Sequence, residues 1–309
     1  MNISFRHLLS ADQVTQEDIQ AICKKASFFH HNTSSSIFDL ARGKILASLF
    51  FEPSTRTRFA FEAAMQKLGG NIITLESGAS SSTKKGETLS DTGRIMSGYC
   101  DIAVIRHPQK NSATEFAKHA TIPVINAGDG SNQHPSQSLL DIYTINHFHH
   151  RLDELSIGII GDLKFSRTVK SLVQLLAFYK RHTFYLISHP SLKMNTETVA
   201  WLKKCGHQVI ETKSLQDTLP LLDIAYMTRV QEERFDTKES YDAVKNHYRL
   251  ERAHLTHAKP TLTILHPLPR IAEIAEDVDT HTSAKYFDQA QFGLYIRMAL
   301  ISEMLGLEI

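Results

Sequence analysis

The stretch KILASLFFEPSTRTRFAFEAAMQKLGGNIITL runs from Lys44 to Leu75. Its opening, KILASLFF (44–51), is mostly apolar, as a strand buried on both faces requires. Phe61, Ala64, Met65 and Leu68 then recur at i, i+3, i+4 and i+7, the apolar stripe of one helix face. Gly69-Gly70 stops that helix, and NIITL (71–75) begins a second strand. Strand, helix and strand in so short a span form a βαβ unit, which joins parallel strands.

The alternation continues. Further strand-like runs are DIAVIR (101–106), TIPVINA (121–127), SIGIIGD (156–162), HTFYLIS (182–188), HQVIET (207–212), DIAYMTR (223–229) and TLTILHP (261–267), with helical periods between most of them. The pattern predicts an α/β fold of two doubly wound parallel-sheet domains joined by helices, with the active site between them. The expected first domain is 1–135 completed by the last helix, about 285–309. A connecting helix over 136–149 leads to a second domain of about 150–284.

Composition narrows the function. A chain of 309 residues suffices for two domains. A net charge of +1 gives no argument for nucleic acid or a membrane surface. No run approaches a membrane span, and MNISFRHLLSADQ lacks the apolar centre of a signal peptide. Cys23, Cys100 and Cys205 are far apart and form no CxxC pair, so a cytoplasmic protein without disulfides is expected. GIIG (158–161) lacks the dinucleotide spacing, and there is no P-loop. His147, His149 and His150 in NHFHHR do not share a helix face, which suits a solvated helix end better than a metal site. Neither metal nor cofactor is expected. Glu87 and Asp91 read as surface or capping residues.

In open parallel sheets, ligands bind outside the carboxyl ends of the strands. Inspecting those ends gives a consistent result. They carry STRTR (54–58), Arg106-His107-Pro108, GDGSNQHPSQ (128–137) with His134 and Gln137, GDLKFSR with Arg167, MTRVQ with Arg229 and Gln231, and HPLPR (266–270). A helix's first turn offers unpaired N–H groups and a partial positive charge. Ser54, Thr55 and Thr57 add hydroxyl donors, and Arg56 adds a planar fork suited to phosphate or carboxylate. A plain N-cap serine followed by solvated arginines would read the same way in isolation. His134 alone could equally be a packed loop residue. The other strand-end cations favour a ligand, or ligands, carrying several negative charges.

At these residues the sequence resembles the aspartate/ornithine carbamoyltransferase family over essentially its whole length. STRTR, KKGET (84–88), IRHP (105–108), HPSQSLLD (134–141), GDLKFSRTV (161–169), YMTRVQEERF (226–235) and HPLPR occur in the family's order and spacing. HPSQ departs from the usual HPTQ but keeps the hydroxyl, while SSSTKK departs from other members around Ser81. The ornithine branch binds a cationic amino acid, whereas Arg167 and Arg229 suit a dicarboxylate, so the resemblance is to the aspartate branch.

The resemblance implies carbamoyl transfer from carbamoyl phosphate to L-aspartate, in pyrimidine biosynthesis. By that resemblance Ser54, Thr55, Arg56, Thr57 and Arg106 hold the phosphate, and Thr57, Arg106 and His134 reach the carbonyl oxygen. Gln137 orients the carbamoyl NH2, and backbone groups of Leu268 and Pro269 bind the carbamoyl or amino end. Arg167 and Arg229, supported by Gln231, take the aspartate carboxylates. GASSSTKKGE (78–87) reads by composition as a mobile surface loop. The resemblance implies instead that it crosses a subunit boundary, bringing Ser81 and Lys85 into the neighbouring site of a homotrimer. YMTRVQEERF resembles branches that associate with zinc-bearing regulatory chains. A non-catalytic anion-binding protein on the same fold is the alternative class, and turnover separates the two.

Overall fold

The computed structural model describes residues 2–32, 35–76, 86–232, 235–245 and 247–308. Ser81 and Lys85 lie outside the described residues. The chain forms two units, Met1–Tyr143 with Gln291–Ile309, and Thr144–Ala290.

The first unit runs α1 (Gln16–His31), β1 (Ile45–Phe50), α2 (Thr55–Lys67), β2 (Asn71–Glu76), α3 (Leu89–Ser97), β3 (Ile102–His107), α4 (Ser112–Ala117), β4 (Val124–Asp129) and the start of α5 (Pro135–His149). The second runs β5 (Ser156–Ile160), α6 (Arg167–Leu176), β6 (Thr183–Ile187), α7 (Thr196–Lys204), β7 (Gln208–Thr212), α8 (Leu215–Thr218), β8 (Ile224–Met227), α9 (Lys238–Asp242), β9 (Thr263–Leu265) and the start of α10 (Tyr286–Met304). The divisions between units fall inside α5 and α10.

Each unit has one parallel sheet, ordered β2-β1-β3-β4 and β7-β6-β5-β8-β9. The inner strands β1, β3, β5 and β8 are almost wholly buried, which explains their continuous apolar runs. The helices bury stripes: Val169, Leu172, Val173 and Leu176 on α6 recur at helical spacing. Thr15 and Asp18 form a reciprocal capping box that starts α1. Gly69 ends α2 with φ +84°, and a Cβ there would meet the Phe38 carbonyl oxygen at 1.8 Å.

The amino edge of the second sheet carries a buried histidine pair. His182 and His207 stack at 5.2 Å between centroids, and each Nδ1 accepts a backbone N–H, from Leu155 and His182 respectively. Burial, with His207 alongside, pushes His182 down to about 4.

Candidate active site

The strand order brings the marked ends together within each unit. In the first, β1, β3 and β4 are consecutive neighbours, so STRTR, Arg106 and the His134 loop leave the same edge. The register sets Phe50 beside Arg106, and the Phe51 N–H donates to the Arg106 carbonyl.

STRTR spans the start of α2, with Ser54 at the N-cap position. Its backbone is extended, but its side chain makes no capping bond. The first-turn N–H groups of α2 are therefore not closed by the hydroxyl that usually caps them, which supports the ligand reading over simple capping. The two arginines are not equivalent. Arg58 stands 3.7 Å from the Glu62 carboxylate and lies over the Phe59 ring. Glu62 in turn accepts from Ser48 and Thr74, tying Arg58 back to the sheet. Arg56 is exposed at the helix start, and Thr57 is buried beside it in sequence. Arg106 has its guanidinium 3.4 Å from Glu52, a carboxylate that the sequence reading had not singled out.

A buried aspartate shapes the loop after β4. Asp129 accepts from the Asn126 and Asn132 amides and from the backbone N–H groups of Asn111 and Gln133. Gly130, at φ +55°, lets the turn pass the Pro108 carbonyl, which a Cβ would approach to 2.7 Å. This turn delivers His134 to the head of α5, where its carbonyl accepts from the Gln137 and Ser138 N–H groups. His134 and Gln137 are both buried, and the Gln137 amide nitrogen donates to Asp141 at 2.9 Å.

In the second unit β5, β8 and β9 are likewise consecutive. Arg167 opens α6 after β5, and Arg229 and Gln231 follow β8; all three are half-buried. Thr228 locks those ends together: its N–H and hydroxyl donate to the Ile160 carbonyl, and its hydroxyl oxygen accepts from the Asp162 N–H. Asp162 is fully buried, with Oδ1 accepting from Lys164 and Phe165 and Oδ2 lacking a partner. Burial pushes it up to about 6, partly offset by the backbone N–H groups of Phe165, Lys164 and Gln231.

After β9, the His266 Nδ1 accepts from the Leu268 N–H, so Nε2 carries the proton that faces Glu273 at 2.7 Å. Glu273 also accepts from the Ile271 and Ala272 N–H groups, fixing the turn that carries Leu268 and Pro269. Their peptide bond is cis. Arg270 closes the HPLPR run but is neutralised by Asp279 and lies over the Tyr286 ring. It is a structural cation. Glu87 accepts from Thr92, and Thr88 caps α3 with Asp91 alongside. No described residues form a group of three or more His, Cys, Asp or Glu able to hold a metal. No described helix is long and apolar enough to cross a membrane.

Comparison with known proteins agrees over the whole chain. Residues 6–147 match the aspartate/ornithine carbamoyltransferase carbamoyl-P binding domain, and residues 153–304 match the Asp/Orn binding domain. The aspartate carbamoyltransferase catalytic subunit of Thermococcus onnurineus is 48% identical over 302 residues, 97% of each chain. The catalytic subunit of M. jannaschii aspartate transcarbamoylase superposes with a TM-score of 0.90 at 41% identity, covering 98% of both chains. The Trypanosoma cruzi aspartate transcarbamoylase in complex with carbamoyl phosphate and aspartate gives a TM-score of 0.88 at 34% identity, covering 96% of this chain and 94% of that one.

Proposed function

The chain belongs to the aspartate/ornithine carbamoyltransferase family, and from that premise we propose how its residues divide the work of the aspartate branch. It transfers the carbamoyl group of carbamoyl phosphate to the amino group of L-aspartate, giving N-carbamoyl-L-aspartate and phosphate for pyrimidine biosynthesis. The observation that carries the reading is that arginines leave two neighbouring strand ends in the first unit, with His134 after the next strand, and two neighbouring ends in the second.

On the first unit, Ser54, Thr55, Arg56 and Thr57 hold the phosphate at the start of α2, where N–H groups and partial positive charge favour an anion. Arg106 adds a charge-assisted bond, exchanging Glu52 for the phosphate. Thr57, Arg106 and His134 direct donors at the carbonyl oxygen, which gains charge as the amine attacks. Gln137 orients the carbamoyl nitrogen, while the Leu268 and Pro269 backbone groups of the second unit bind the carbamoyl or amino end.

On the second unit, Arg167 and Arg229 take the two aspartate carboxylates, supported by Gln231. The aspartate nitrogen bonds to the carbonyl carbon, the carbon–oxygen bond to phosphate breaks, and the departing phosphate takes the amine proton. No covalent enzyme intermediate is needed, because carbamoyl phosphate is already activated and catalysis is positioning and charge stabilisation.

A cytoplasmic homotrimer is part of the same reading, with Ser81 and Lys85 serving the neighbouring subunit's site. Phe38, Phe59, Ile73 and Tyr99 are exposed on the first unit, and Ile73 lies on the open edge strand β2, which suits a second copy of the chain. The relatives' description as catalytic subunits suits a zinc-bearing regulatory partner. Aspartate-dependent phosphate release from carbamoyl phosphate tests the activity, and ornithine in place of aspartate must give none. Reassembled hybrids of inactive Lys85→Ala and Arg106→Ala chains test site sharing. Regained activity supports a shared site, and hybrids that form but stay inactive refute it.

A further inference from the structure

The substrate's carbamoyl group ends in NH2, which offers hydrogens as a planar amide nitrogen does. A side chain that orients it must present an acceptor. Glutamine can present either end of its amide, and the wrong end would set donor against donor. On α5, Asp141 stands one turn beyond Gln137, and the Gln137 Nε2 donates to its Oδ1 at 2.9 Å. An ionised carboxylate accepts and cannot donate, so it takes the NH2 end and leaves Oε1 as the outward-facing end of the amide.

A buried cation interacts with this carboxylate through its charge. Arg297 on α10 is buried, with its guanidinium over the Phe61 ring at 5.1 Å and its Nε without a hydrogen-bond partner. Burial lowers Arg297 to about 10 and Asp141 pulls it back up, so it is charged at neutral pH. The same attraction favours ionised Asp141. A neutral Asp141 could donate to Oε1 and turn the amide round. Gly293 makes the space: a Cβ there would stand 2.3 Å from the Arg297 Nη1 and 3.3 Å from Leu140. All these residues belong to the first unit.

We infer that Asp141 and Arg297 are positioning residues that hold the Gln137 amide oxygen toward the carbamoyl nitrogen, and so select an acyl phosphate ending in NH2 over one ending in methyl. This rests on the reading of Gln137 given above. Acetyl phosphate is the probe, since methyl replaces NH2 and leaves Oε1 nothing to accept.

The experiment measures kcat/KM for aspartate-dependent phosphate release with carbamoyl phosphate and with acetyl phosphate. Asp141→Asn keeps the shape but lets the amide pair either way round. Its preference for carbamoyl phosphate is expected to fall about 10- to 100-fold, the effect of one misdirected buried hydrogen bond, mainly through kcat. Inhibition by inorganic phosphate should stay within about twofold of wild type, because the anion contacts are untouched. Gly293→Ala and Arg297→Met should move the same ratio, and Arg297→Lys should retain more of it than Arg297→Met. These variants carry the test if Asp141→Asn does not fold. Equal losses with both acyl phosphates would make the pair merely structural and overturn the inference. A wild-type enzyme that does not carbamoylate aspartate would overturn the functional reading itself. A wild-type enzyme that does so, with an unchanged preference in the variants, would overturn this inference alone.

Discussion

Asp129 and Asp162 occupy corresponding places at the crest of their sheets, one at the end of β4 and the other just beyond β5, and both are buried. Four N–H donors meet the Asp129 carboxylate. At Asp162 the Lys164 and Phe165 N–H groups both meet Oδ1, with the Gln231 N–H acting more weakly, and burial still raises its pKa to about 6. A satisfied buried carboxylate fixes a loop rigidly, whereas an under-satisfied one leaves a titrating group inside the fold. The loop at the first unit's edge is thus fixed, and the second unit's edge contains a buried acid whose charge depends on pH.

The largest effect should come from Asp129→Ala, which strands four donors and should cost the first unit about 3–5 kcal/mol. Denaturant unfolding measures it, and a loss under about 1 kcal/mol would remove the rigid side of the comparison. Arg56→Ala should then lower turnover about 10²- to 10³-fold while unfolding stays near wild type, since the lost contact acts on developing charge. Unchanged carbamoyl phosphate binding and turnover would exclude Arg56 from phosphate binding.

The pH dependence sharpens the contrast. The Asp162 value rises from 3.8 to about 6, so its contribution to stability is full below 3.8 and is lost as pH rises through 6. For His182 the value falls from 6.5 to about 4, so its contribution is full above 6.5 and is lost as pH falls through 4. Each of these changes is worth about 3 kcal/mol, and the two slopes oppose one another. Asp162→Asn should remove one slope and expose the other, making the variant's stability fall from pH 6.5 to pH 4 more steeply than the wild type's. A constant offset between the two proteins across that window would show that Asp162 does not titrate there. The smallest effect is for Arg229→Ala, which should raise the KM for aspartate about 10- to 100-fold and largely spare carbamoyl phosphate. Equal weakening of both substrates would break the division of labour between units.

Among the described residues each of the nine strand-like runs becomes a strand, because buried parallel strands are continuous apolar runs, and the strand ends differ from the run ends by at most three residues. Arg58 and Glu62 are spaced i, i+4 on α2, a pairing that helix periodicity does record. What sequence could not show is that Arg270 meets Asp279, which comes within reach only in the fold. Asp129 and Asp162 were unreadable for a related reason, since a charged residue is buried only where distant donors converge. Asp141 did leave a trace: Gln137 and Asp141 are spaced i, i+4 within HPSQSLLD, one helical turn apart. Ser54, Thr55, Arg56 and Thr57 were marked by their place between strand and helix, which local pattern does record.

The interrupted first unit has a consequence for biosynthesis. Translation runs from the amino end, so the whole of the second unit's Thr144–Ala290 is synthesised before the Gln291–Ile309 that completes the first. That missing piece supplies Ile296, Ala299, Leu300, Ile301 and Met304, all buried in the finished fold. Until it arrives, the nascent first unit exposes the surface these side chains will cover, and chaperones recognise such surface. A premature stop just before Gln291 would therefore spare the unit synthesised last and damage the one begun first.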